Sequence, residues 1–305
     1  MRLHIRYVTT FNYGDEVWNS HNALRAAPLT DHRQTVISYQ LEIDPAASVH
    51  SYTDYWGTRV DTFSVRQPHD RLVVLAESVV QTNPKPFTAN PSMDAIADEA
   101  FRSNHWLYLQ PTGHTAWSEQ VSRAAEEAAS SADTVVSLVE QVSSYVHKSL
   151  EYRPGATQIG VSVNKVWDEK AGVCQDFAHL TVAMLRSLGV PARYVSGYFY
   201  AADPSSTESP VDEPITVQTH AWVEAALPGG EWVAIDPTNG ADVGERHAAI
   251  GRGRDYDDVT PLRGVYSGRT DAAVTVEVAM SSGSLGARPL PVVTLTGSAG
   301  DTLQQ

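Results

Sequence analysis

Residues 171–199 read AGVCQDFAHLTVAMLRSLGVPARYVSGYF and contain the only cysteine of the 305-residue chain. Phe177, Leu180, Thr181, Met184, Leu185 and Leu188 recur at helical spacing and predict a largely apolar stripe on a core helix. Gly189 and Pro191 punctuate its C-terminal end. Cys174 therefore falls at the helix N-terminus, where unpaired N–H groups and the macrodipole favour an anion such as a thiolate. A lone cysteine also reads as a small buried hydrophobe, and its placement alone does not decide between the two.

Downstream, VQTHAWVEAAL alternates as a strand, with Gln218, His220, Trp222 and Glu224 on one face. Pro228, Gly229 and Gly230 form a three-residue hairpin loop, and EWVAIDP is the returning strand. Pairing Leu227 with Glu231 sets Trp222 opposite Asp236 and makes His220 its diagonal neighbour on the same face. Nucleophile, base and orienting carboxylate then follow in the order Cys174, His220, Asp236. Taken singly, His220 also reads as a half-buried strand histidine and Asp236 as a turn residue before proline.

The rest of the chain supplies the frame. Residues 1–82 read as short strands (LHIRYVTTFNY, QTVISYQLEI, YTDYWGTRVDTFSV, RLVVLAESVVQT), which predict an antiparallel sandwich or barrel. NPKPFTANPSMD, residues 83–94, carries three prolines and predicts a boundary near residue 85. Helical patterns follow in DAIADEAFRS, SEQVSRAAEEAASS and DTVVSLVEQVSSYVHKSL, and AAVTVEVAM predicts a late strand.

Three blocks, GVCQDFAHL with its helix, THAWVEAALPGGEWVAIDPTNG, and GRDYDDVTPLRGVYSG, resemble the bacterial transglutaminase-like family. YRPGAT at 152–157 and the β-rich start resemble it too. The resemblance implies an α+β fold: an N-terminal antiparallel β domain (1–85), a papain-like transglutaminase core of helices on an antiparallel sheet (86–290), and a C-terminal tail (291–305). It implies Cys174 as nucleophile, His220 as general base and Asp236 as orienting acid, with a thioester resolved by an amine or by water. The Cys174 N–H is one expected oxyanion donor, and no second donor is assigned. Trp222 is expected to line the substrate cleft or to pack. His179 is expected to make a structural hydrogen bond, and Arg254, Asp255 and Tyr256 to form a supporting polar network or else a substrate wall. A catalytically silent scaffold with the same fold is the alternative.

Composition narrows the partners. The formal charge of −14 opposes binding to nucleic acid or anionic lipid, and the family resemblance implies a peptide or protein amide as substrate, with an amine as candidate acceptor. Neither a basic n-region followed by an apolar run nor an 18-residue apolar window occurs, and no disulfide is possible within one chain. A cytoplasmic protein without cofactor or metal is expected. Its oligomeric state is left open.

Overall fold

The computed structural model describes residues 1–83, 87–201 and 214–283. The expected boundary at residue 85 and the expected tail 291–305 fall outside the described residues.

The chain begins with five strands: β1 (Arg2–Leu24), β2 (Gln34–Asp44), β3 (Val49–Thr53), β4 (Arg59–Val65) and β5 (His69–Thr82). The strand expected at Leu3–Tyr13 runs on to Leu24. Its register against β5 shifts between Asn12 and Val17, and Asn19 takes a positive φ of 50°. One long strand can therefore bend past Gly14 and the following acids and serve two parts of a sheet. The stretch expected as one strand at 52–65 is a hairpin. Asp54 Oδ1 accepts the N–H groups of Trp56 and Thr58, and Gly57 supplies the positive φ of 81° that closes the turn.

A helical section follows: α1 (Glu99–Asn104), α2 (Glu119–Ala128) and α3 (Val135–Ser149). The helix expected over 94–103 is broken at Asp98, whose extended backbone ends a 3-10 turn and whose side chain caps Phe101 N–H at 2.7 Å. Then come β6 (Glu151–Tyr152), α4 (Val163–Glu169), β7 (Ala171–Gly172), α5 (Cys174–Ser187), β8 (Ala192–Phe199), β9 (Ile215–Val217), β10 (Thr219–Ala226), β11 (Trp232–Asp236), β12 (Ala241–Asp242) and β13 (His247–Gly253). The chain continues through α6 (Tyr256–Val259), β14 (Leu262–Ser267) and β15 (Ala272–Ser282).

An antiparallel sheet in the order β12-β11-β10-β8-β13 backs α5, which packs on β10 and β8 and is flanked by α2, α3 and α4. The sequence marks one apolar stripe on α5, yet every residue from Cys174 to Arg186 is buried. Helices close the side that the stripe leaves open. Arg186 stays in this interior by donating to the carbonyls of Ala192, Gln110 and Arg254 and to Thr115 Oγ1. Burial pulls it down to about 10.

The N-terminal sheet runs β2-β5-β1-β15-β9, and the far half of β1 pairs with β4 and β14. Three of its strands thus come from beyond residue 214. A second apolar cluster joins Leu3, Ile5 and Tyr7 of β1 to Tyr198 of β8 and to Ala248 and Ile250 of β13. The five-stranded sheet is held between helices and the N-terminal β structure. Asp31 completes the joint through Arg252, which also grips Glu224 of β10.

Candidate active site

Cys174 begins α5 and is 8 % exposed. Two features fix it there. β6 and β7 pair in parallel, Tyr152 with Gly172, which lays the preceding chain beside the helix start. Asp176 Oδ2 accepts the Val173 N–H at 2.8 Å and the Thr157 hydroxyl at 2.5 Å, pinning the first turn. Burial pushes Asp176 up from the usual carboxylate value even though both donors favour its anion. A Cβ on Gly172 would meet Asp176 Cβ at 2.7 Å, so glycine is required there.

His220 enters from β10. Leu227 N–H donates to Glu231 O at 2.8 Å, and the ladder Val223 with Ile235, extended one step, sets Trp222 opposite Asp236. His220 becomes the diagonal neighbour of Asp236, and its Nε2 lies 2.7 Å from Asp236 Oδ2. Nδ1 is left for the cleft that Cys174 also lines, where the Cys174 thiol lies 4.0 Å from the Thr219 carbonyl oxygen. Burial works against the imidazolium, but the bonds to Asp236 and then Cys174 outweigh it and push His220 up to about 10.

Asp236 is fully buried. Its Oδ1 accepts the N–H groups of Thr238 and Asn239, and its Oδ2 accepts Asn239 Nδ2 at 2.6 Å and faces His247 Nε2 at 3.1 Å. Burial alone would raise it, yet these donors hold it well below the usual carboxylate range. The site therefore keeps a fixed anion behind His220.

Over Cys174 lies an open cleft of about 440 Å³, walled by Tyr152, Phe199, Val217, Gln218 and Asn239. Trp222 is not part of that wall. It is 1 % exposed and lies against Gly197, whose missing side chain makes room for the indole. His179 accepts the Tyr256 N–H at 3.1 Å and stacks on His114. Arg254 pairs with Asp258, and Asp255 caps α6. These are the expected supporting bonds.

Asn239 and His247 were not singled out by sequence reasoning. Asn239 stood in the quoted DPTN. His247, alone in ERHAA, carried no signal. Ligand-type atoms of His220, Asp236 and His247 lie within 4.8 Å of one another, as do those of His114, Asp255 and Asp257. In the first group hydrogen bonds account for all three side chains.

The Bacterial transglutaminase-like N-terminal region matches residues 3–81 and the Transglutaminase-like superfamily matches residues 122–237. The Mycobacterium leprae protein ML0607 is 36 % identical over 284 residues, spanning 91 % of this chain and 98 % of its own length. The chain belongs to the transglutaminase-like superfamily. A candidate cysteine protease from Cytophaga hutchinsonii shares the fold, with a TM-score of 0.73, 21 % identity, and coverage of 96 % of this chain and 94 % of that one. A protein-glutamine gamma-glutamyltransferase of Pseudomonas aeruginosa is 31 % identical over 97 residues, 30 % of this chain and 14 % of that protein. The α+β architecture and antiparallel sheets expected from the resemblance agree with this membership. Among the described residues, no helix is long and apolar enough to cross a membrane.

Proposed function

We propose that this transglutaminase-like protein is a cysteine-dependent acyltransferase or hydrolase acting on amide bonds of peptides or proteins. One observation carries the reading: a cysteine at a helix N-terminus lines the same cleft as a histidine whose Nε2 is held at 2.7 Å by a buried carboxylate. Because Asp236 stays ionised and His220 favours its charged form, His220 is suited to take the Cys174 proton and leave a thiolate for attack.

The thiolate attacks the amide carbon, forming a C–S bond while the carbonyl electron pair moves to oxygen. The N–H of Cys174, at the start of α5, faces the developing oxyanion. Collapse breaks the C–N bond, and the His220 imidazolium gives its proton to the leaving ammonia or amine. A thioester remains. His220, now neutral, takes a proton from the incoming water or amine, and the second collapse releases the thiolate. A 440 Å³ cleft with aromatic walls and the amides of Gln218 and Asn239 suits a single extended side chain such as glutamine. The P. aeruginosa relative's activity makes a glutamine carboxamide the first donor to try.

The test uses a glutamine-containing peptide with and without an alkyl amine, reading ammonia release and amine incorporation. Wild type is expected to turn over and Cys174→Ala to be inert. Full activity in Cys174→Ala, or Cys174 alkylation at pH 6.5 no faster than that of a free thiol, would sink the reading and favour a silent scaffold.

A further inference from the structure

His247 opens β13, is 7 % exposed, and has no part in the steps just described. Its Nε2 lies 3.1 Å from Asp236 Oδ2, the oxygen that also holds His220. Its Nδ1 accepts the Gly244 N–H at 3.2 Å, which occupies the lone pair that a second proton would need. The single ring proton therefore sits on Nε2 and is donated to Asp236. Burial lowers the tendency of the ring to protonate. Phe199 packs on the ring at 4.7 Å and Trp222 meets it edge-on at 5.2 Å, so its rotamer is fixed from two sides.

The charged groups around this trio come from several elements. Cys174 of α5 lines the same cleft as His220. Arg246 lies over Phe199. Arg33, Glu224 and Arg252 share with His247 a cavity of about 10 Å³, and Glu224 is already matched there by Arg193 and Arg252.

A carboxylate that shares its charge among several donors is a weaker acceptor for each. Without His247, Asp236 would bind the His220 imidazolium more tightly and make it a poorer acid for the leaving amine. We propose that His247 is a positioning residue: a permanently neutral donor that fixes Asp236 and moderates its hold on the His220 proton. This rests on the reading of Cys174 as nucleophile with His220 as its base.

The experiment is ring ¹⁵N NMR of the histidines against pH in the full chain, in wild type, His247→Phe and His247→Gln, with the pH profile of Cys174 alkylation alongside. In wild type His247 is expected as the neutral Nε2–H tautomer from pH 5 to 9. In His247→Phe the His220 midpoint is expected to rise by about one pH unit, and in His247→Gln, whose amide can donate, to return. An unmoved or lowered midpoint in His247→Phe overturns the proposal. So does a wild-type His247 that is cationic or protonated on Nδ1, a reading that needs no variant to fold. Slow wild-type alkylation at pH 6.5 would instead fault the nucleophile, while the histidine spectra still decide the role of His247.

Discussion

Val173 donates its backbone N–H to Asp176 Oδ2 at 2.8 Å but, being valine, has no side-chain oxygen to offer in return. The helix that presents Cys174 is thus pinned from one direction only. Its first N–H groups receive no side-chain cap from Val173. An ordinary N-cap would satisfy those donors and blunt the local positive potential.

Val173→Thr, nearly isosteric at this buried position, tests that arrangement. Its hydroxyl should accept an N–H of the first turn, leaving stability within about 1 kcal/mol of wild type. Cys174 alkylation at pH 6.5 should slow by about two- to fivefold. An unchanged rate would mean that the open helix end has no influence on the thiol.

His220 links the site to stability. Its folded value, about 10, lies above the ordinary value of 6.5, so its contribution is fully present below pH 6.5 and is lost as pH rises through about 10. The gap in melting temperature between wild type and His220→Ala should therefore narrow steadily from pH 6.5 to 10. A gap constant across that window would contradict the raised value of His220.

Glu224 is 3 % exposed and clamped by Arg193 and Arg252. Burial disfavours its charge, but the two guanidiniums hold it well below the usual 4.5. Its contribution is present above that value and falls away as pH drops below it. Glu224→Gln leaves two buried cations underpaired and should cost about 3–5 kcal/mol in urea unfolding at pH 7. The penalty should shrink at pH 3.

At Gly197 a Cβ would stand 2.3 Å from Trp222 Cη2 and 2.4 Å from the Ala248 carbonyl oxygen. The carbonyl belongs to a sheet strand and cannot yield. Gly197→Ala should destabilise by about 1–3 kcal/mol and, by displacing Trp222 and the His247 segment, lower kcat more than it changes KM. Wild-type thermal unfolding in this variant would refute the packing argument.

The sequence made legible what depends on short-range periodicity. Cys174 at a helix start and the Leu227–Glu231 register that brings His220 beside Asp236 both follow from spacing within some thirteen to eighteen residues. What stayed hidden depends on distant packing. Trp222 alternates onto the His220 face, yet only Gly197, on another strand, explains why it is buried there. His247 reaches Asp236 across the sheet from β13 without any local pattern. The continuation of β1 past Tyr13 was masked by a glycine and two acids that usually end strands, whereas partners from β4 and β14 carry it on.

The pairing of Leu3 with Ser282 sets a timetable for synthesis. A ribosome delivers β1 first, but β15, its neighbour along most of the first half, emerges about 270 residues later. Until then one edge of β1 has no ladder to join, a condition that invites pairing with other nascent chains. Completion of the N-terminal sheet therefore waits on β15, which follows every element of the cysteine site along the chain.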